Sequence, residues 1–264
     1  MTKRLDNALQ RARDQGRTAI IPYVTIGFPT LEDTLAIVPA IEQAGADVIE
    51  LGVPYSDPLA DGPTIQAASY RALEGGMDSK RCLDAVRELR AAGVSVPLML
   101  MGYYNPILSY GREAYAKDCA EAGADGLLIP DLPPEEWGPM REALRAHDLV
   151  LIAFFAPTST DERIALGTDG AEGFVYCVSV AGVTGARTEL PEDLSAFIAR
   201  VRAHTDLPIA IGFGIAERRH VETVGKYAEA AVVGSALINV INSAPPKEHA
   251  QQAAAFIKSL LGSR

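Results

Sequence analysis

Eight short apolar runs punctuate the chain: AIIPYVT (19–25), DVIEL (47–51), PLMLM (97–101), DGLLIP (125–130), LVLIAF (149–154), GFVYCV (173–178), PIAIGF (208–213) and EAAVVG (229–234). They lack the polar alternation of a half-exposed strand, so they read as parallel strands covered on both faces. Helix-like segments separate them, at 31–44, 64–74, 79–92, 110–122, 134–147, 160–166, 191–204, 216–226 and 245–262. Several stop at a glycine, as at Gly45, Gly93 and Gly123, which suits a helix C-terminus. Eight β-α alternations imply a parallel sheet. Eight strands match a closed (β/α)8 TIM barrel with extra helices, a fold that fits about 250 residues into one domain. An open doubly wound sheet also accepts eight strands, but it usually carries G-x-G-x-x-G after its first strand. Here Gly27-Phe28-Pro29-Thr30 follows instead. The expected fold is therefore an α/β barrel, as a single domain over 1–264.

Charge and composition exclude several partners. With 34 acidic and 24 basic residues the formal net charge is −10, against the basic footprint that nucleic acid or an anionic membrane surface requires. Cys82, Cys119 and Cys177 are odd in number and far apart, so no disulfide framework is implied. The opening MTKRLDNALQRARDQGR lacks the apolar core of a signal peptide, and Leu149–Pro157 is too short to span a bilayer. A reducing cytoplasm is the expected location. An internal echo, Ala44-Gly45-Ala46-Asp47 and Ala122-Gly123-Ala124-Asp125 with a weaker Gly170-Ala171-Glu172, marks repeated αβ turns of one barrel.

Two loops exceed the usual βα connection of about 2–6 residues. LGVPYSDPLADGP (51–63) follows the second run and SVAGVTGARTEL (179–190) the sixth. Both leave strand C-termini, the active-site face of a barrel. Glu50 stands in the apolar run before the first of these loops, where an unpaired carboxylate is costly to bury. Parity places Val48 and Glu50 on one face and Ile49 and Leu51 on the other. Glu50 is either half of a buried ion pair, a residue at an exposed strand end, or a catalytic group, and the adjoining loop favours catalysis. Asp57 and Asp61 are ordinary turn formers, and Asp61 could cap a helix starting near Pro63. The four histidines fall on helical segments or in the C-terminal region and read as surface residues. No metal motif accompanies them.

Glycine clusters follow runs six to eight: Gly182-Val183-Thr184-Gly185, Gly212-Phe213-Gly214-Ile215 and Gly234-Ser235-Ala236. Glycine admits close backbone approach, and helix-start amides bind phosphate. Tyr23, Tyr103, Tyr104, Tyr176 and Phe213 gather at the same strand ends, either as barrel core or as walls for a flat apolar substrate. The residues alone describe a barrel enzyme doing acid–base chemistry on a phosphorylated small molecule, and the aromatic residues at the rim suit one with an aromatic part.

The segment ELGVPYSDPLADGPTIQ (50–66) resembles the signature of the tryptophan synthase alpha chain family. PYVTIGFP, MGYYNPI, IPDLP, GVTGAR, IGFGI and GSA extend the resemblance over essentially the whole chain. It implies a lyase that cleaves indole-3-glycerol phosphate to indole and glyceraldehyde 3-phosphate in tryptophan biosynthesis. By resemblance, Glu50 and Asp61 are the catalytic pair. Tyr23, Tyr103, Tyr176, Thr184 and Phe213 contact substrate, and Gly185, Gly214, Gly234 and Ser235 bind its phosphate. Tyr23 stands where some relatives have phenylalanine. The implied partner is a beta chain carrying pyridoxal phosphate, in an α2β2 complex, with Pro54, Tyr55, Ser56, Asp57 and Pro58 at the interface. No cofactor or metal is implied in this chain. A self-sufficient indole-producing lyase and another phosphosugar-acting barrel enzyme are the alternatives, as is a non-catalytic activating subunit.

Overall fold

The computed structural model describes residues 3–178, 192–212 and 214–261. Nine parallel strands run in chain order: β1 (Ala19–Thr25), β2 (Ile49–Gly52), β3 (Leu98–Met101), β4 (Gly126–Leu128), β5 (Val150–Leu151), β6 (Ala153–Phe155), β7 (Val175–Val178), β8 (Ile209–Gly212) and β9 (Ala230–Val233). Their order in the sheet is β5-β4-β3-β2-β1-β9-β8-β7-β6. The two ends of that order are neighbours along the chain, separated only by Ile152, whose amide still donates to Leu127 O (2.9 Å). β5 pairs with β4 and β6 with β7, so the sheet closes into a barrel. All eight expected runs form strands, and the run 149–154 supplies two of the nine because it breaks at Ile152, where it exchanges hydrogen-bonding neighbours.

Twelve helices cover this sheet among the described residues: α1 (Lys3–Asp14), α2 (Leu31–Gln43), α3 (Pro63–Glu74), α4 (Ser79–Ala91), α5 (Tyr104–Tyr110), α6 (Arg112–Ala122), α7 (Gly138–Arg145), α8 (Asp161–Thr168), α9 (Glu192–Arg202), α10 (Arg218–Val224), α11 (Ser235–Ser243) and α12 (His249–Leu261). Gly45, Gly93 and Gly123 take φ of +107°, +95° and +93°, the left-handed stops expected after α2, α4 and α6. None of the helices is long and apolar enough to cross a membrane.

Three helical expectations change. The expected helix 110–122 starts late: α5 precedes it, and Gly111 at φ +94° separates the two. The last segment, 245–262, holds α12, while α11 lies earlier. The N-terminal stretch, read only for its charge, forms α1. Its Leu5, Ala8, Leu9 and Ala12 recur at i, i+3, i+4 and i+7, and all four are buried. They pack with Ile21, Val48, Met99, Leu128, Ile152 and Phe174, the inward-facing residues of the strands. α1 is thus part of the barrel's inner core, and a separate outer core lies between strands and helices.

The repeated αβ turn has a physical role. Asp47 Oδ2 accepts the Ile20 N–H (2.9 Å) and pairs bidentately with Arg17. Asp125 Oδ2 accepts the Leu98 N–H (2.9 Å) and Arg90 (2.7 Å), while Oδ1 takes Arg4. Glu229 Oε2 accepts the Ile209 N–H (2.7 Å), and both its oxygens take Arg202. Each acid at the start of one strand therefore receives an amide from the preceding strand and an arginine. Glu172, the expected weak third copy, instead makes a 3.6 Å pair with Arg145; Glu229 is the true third member.

Candidate active site

Glu50 lies on β2, in register with Tyr23 on β1 and Met99 on β3. It shares its face with Val48, which packs in the inner core, so the carboxyl points into the barrel, near its C-terminal mouth. It is 2% exposed. The ion-pair alternative is absent: no cation pairs with Glu50 among the described residues, and Oε2 has no hydrogen-bond partner. The exposed-end alternative fails on burial. Desolvation, followed by the nearby Asp61 carboxylate, pushes the Glu50 carboxyl up to about 8 from its ordinary 4.5.

Asp61 closes the loop that leaves β2. Gly62, not Asp61, is the N-cap residue of α3, and no side chain caps that helix. The capping alternative is therefore excluded and the Asp61 carboxylate is free for other work. Burial raises it to about 6, opposed by a hydrogen bond from Tyr103. The loop is tied down on both sides. Val53 N–H donates to Met101 O (2.8 Å). Tyr55 N–H donates to Ser69 Oγ (3.0 Å), which returns a bond to Tyr55 O (3.2 Å). Gln66 Nε2 donates to Asp61 O (2.8 Å). Asp57 is exposed and accepts from Ser56 Oγ, a local turn.

Tyr23 and Tyr176 lean across the mouth. A Cβ at Gly52 would collide with the Tyr23 hydroxyl, and one at Gly212 with the Tyr176 hydroxyl. Both strands end in glycine because a neighbouring phenol lies over that position. Tyr176 also stacks on Phe154, with ring centroids 5.0 Å apart. Phe154 was not singled out in the sequence, although parity with Ile152 in LVLIAF points it inward. Ile65 was missed as well; a Cβ at Gly234 would sit 3.5 Å from its Cδ1 and 3.9 Å from Tyr23 Cβ.

Gly214 (φ +38°) and Gly234 follow the adjacent strands β8 and β9. Gly234 precedes the first turn of α11, and its carbonyl accepts Ile238 N–H (3.1 Å). The amides of that turn, with the exposed Ser235, form the kind of helix-start cradle that receives a phosphate. Thr184, Gly185, Phe213 and the loop 179–190 lie outside the described residues. Among the described residues no His, Cys, Asp and Glu side chains group as metal ligands. Not all four histidines are surface residues: His249 is largely buried against Asp33 (2.8 Å), because α12 packs on α2.

In the expected interface loop, Pro54 is buried, Tyr55 and Pro58 are half-buried, and Ser56 and Asp57 are exposed. Leu59 beside them is 91% exposed. Tyr70 on α3 and Leu108 on α5 are also exposed, on the two helices that hold the loop.

Known proteins share this fold and much of its sequence. Residues 9–261 match the family model described as tryptophan synthase alpha chain. The tryptophan synthase alpha chain of Roseiflexus sp. (strain RS-1) is 55% identical over 250 residues, covering 95% of this chain and 96% of that one. The crystal structure of tryptophan synthase subunit alpha from Legionella pneumophila str. Paris superposes with a TM-score of 0.90 at 35% identity, over 98% of this chain and 97% of that one. A solved Mycobacterium tuberculosis tryptophan synthase gives 0.88 at 37%, over 98% and 97%. A buried carboxyl and a second carboxylate at the mouth of a parallel barrel thus occur in a chain that belongs to the tryptophan synthase alpha chain family.

Proposed function

We propose that Glu50 and Asp61 divide the work of the family's reaction, the carbon–carbon cleavage of indole-3-glycerol phosphate to indole and glyceraldehyde 3-phosphate. The observation that supports this most is the buried Glu50 carboxyl, whose Oε2 has no partner among the described residues, beside a partly exposed Asp61. Indole leaves through C3, a poor leaving group. Protonated Glu50 gives its proton to C3, turning the ring into an indolenine cation. Asp61 accepts the ring N–H and balances the new charge. The Glu50 carboxylate then takes the hydroxyl proton from the glycerol carbon bonded to C3 as the C–C bond breaks and the aldehyde forms. Between pH of about 6 and about 8 Asp61 is anionic while Glu50 keeps its proton, the pairing this sequence requires.

In this reading Tyr23, Tyr176 and Phe154 wall the indole, and Tyr103 supports the loop beside it. Gly214, Gly234 and Ser235 cradle the phosphate together with Gly185, and Thr184 and Phe213 contact the rest of the substrate; Gly185, Thr184 and Phe213 lie outside the described residues. Backbone amides and a hydroxyl suit a dianion in a chain whose net charge is −10. Asp61→Asn is expected to lower kcat about 10²–10³-fold and to abolish the acid limb of the pH profile, because asparagine accepts the ring N–H without balancing the cation. Indole release from indole-3-glycerol phosphate measures both, and activity near the parent's would remove the electrostatic role.

The partner in this reading is the tryptophan synthase beta chain, which carries pyridoxal phosphate and receives the indole, in a cytoplasmic α2β2 complex. Leu59, Tyr70 and Leu108 give that face an apolar character where Pro54–Pro58 leave β2. Leu59→Asp is expected to weaken association about tenfold or more, since an exposed apolar side chain that this reading places against the partner is replaced by a charge. Indole formation titrated with added beta chain reads the effect, and an unshifted titration places the partner elsewhere.

A further inference from the structure

We propose that Tyr103 is a positioning residue for the cleavage, its hydroxyl clamping the loop that carries Asp61 instead of contacting substrate. The inference rests on the reading of Asp61 as a catalytic group.

Tyr103 lies between β3 and α5 and is 4% exposed. Its hydroxyl oxygen accepts the Ala60 N–H at 3.0 Å. The same hydroxyl stands beside the Asp61 carboxylate and favours its charged form. A phenol has one proton to give; a lone pair holds Ala60, and the neighbouring Asp61 carboxylate is the acceptor that the proton faces. Little hydrogen-bonding capacity is left for a ligand.

The loop needs such a clamp. From Ser56 to Asp61 its other bonds are local: Ser56 Oγ to Asp57, Leu59 N–H to Asp57 O (2.9 Å) and Asp61 N–H to Pro58 O (3.0 Å). Among the described residues, Tyr103 and the exposed Gln66 are the groups outside the loop that bond residues 56–61. Gln66 holds only the Asp61 carbonyl; among the described residues Tyr103 is the group that acts on the carboxylate. Tyr103 is itself braced. Its ring lies 5.3 Å from that of Tyr55, at 32°. Tyr55 is fixed to α3 through Ser69, and its hydroxyl accepts from Asn105 Nδ2 on α5 (3.2 Å).

The groups facing Asp61 from the surrounding elements are Glu50 on β2, Tyr23 on β1, Tyr176 on β7 and Tyr103, with Asp131 beyond it. Among the described residues no cation stands with them. Among the described residues Tyr103 is the group that favours the Asp61 anion.

Tyr103→Phe removes one oxygen and keeps the ring. Cleavage of indole-3-glycerol phosphate, with the beta chain present and absent, should show kcat reduced about 10–100-fold, the scale of a roughly 1 Å misplacement, with KM within about twofold. The acid limb of the profile should move to higher pH. Conversely, 3-fluorotyrosine at this position, a stronger donor with no atom lost, should move that limb to lower pH. A raised KM with unchanged kcat makes Tyr103 a substrate wall and overturns the proposal, as does an unmoved acid limb in both variants. Asp61→Asn in the same assay separates the two readings. If it is active, the catalytic reading of Asp61 falls; if it is inactive while Tyr103→Phe behaves as the parent, only the Tyr103 assignment falls.

Discussion

Glu50→Gln is expected to lose about 10⁴-fold or more in kcat, the upper end of what one proton-transferring group contributes, because the same carboxyl serves two transfers. It should also make the free chain more stable at alkaline pH. The folded carboxyl titrates near 8 and ordinarily near 4.5. A raised carboxyl leaves the fold most stable below the lower value, and stability falls as pH climbs through the higher one. The difference corresponds to a loss on the order of 5 kcal/mol across that window. Glutamine cannot ionise, so the variant escapes the loss. Its advantage in thermal midpoint should be small at pH 5 and grow towards pH 9. A midpoint difference independent of pH would refute the buried titration of Glu50. Residual activity within tenfold of the parent would remove Glu50 from the mechanism. The two measurements together also exclude misfolding as the cause of inactivity, since the inactive protein is the more stable one.

The barrel was legible in the sequence because strands covered on both faces need continuous apolar runs, and these are easy to see. Glu50 was legible for the complementary reason: a charge inside such a run has few explanations, and the structure removes two of them. Asp61 was harder. An Asp-Gly-Pro step is common turn chemistry, and only the placement of the α3 cap at Gly62 frees its side chain. What parity alone could not convey was closeness between strands. Gly52 and Gly212 look like ordinary strand-end glycines, and their purpose appears only when Tyr23 and Tyr176 are found lying over them. Phe154 went unnoticed because LVLIAF is apolar at every position, which hides which residues face inward. α1 went unnoticed because its apolar stripe contains only two leucines and two alanines among six charged residues. Residues named for the phosphate and the indole by resemblance, such as Gly234 and Tyr23, were found side by side at the mouth. The resemblance supplied the chemistry that spacing did not.

The second large effect belongs to the opposite end of the barrel. Asp125→Ala is expected to destabilise the fold by about 3–5 kcal/mol, the usual result of deleting one partner of a buried ion pair. Asp125 is 1% exposed and is shared by three donors: Arg4, Arg90 and the Leu98 N–H. Arg90 is the critical partner. Its side chain is 15% exposed, and burial already lowers its guanidinium to about 10 against the pull of Asp125. Without the carboxylate, Arg90 keeps its bonds to Gly123 O, Val94 O and Val96 O but no opposite charge at its Nη2. The Leu98 N–H at the head of β3 loses its acceptor, which adds the cost of an unsatisfied buried amide, about 1–3 kcal/mol within that total. Arg4 is different: at 46% exposure its pairing is largely solvated, so Arg4→Ala should cost about 1 kcal/mol or less. Asp125→Asn should fall between, keeping one acceptor and losing the charge. Urea titration of the three variants orders them. If Asp125→Ala costs no more than Arg4→Ala, the acid is not what joins β3, β4 and α4 at the barrel base, and the repeated αβ turn has no role in holding neighbouring strands in place.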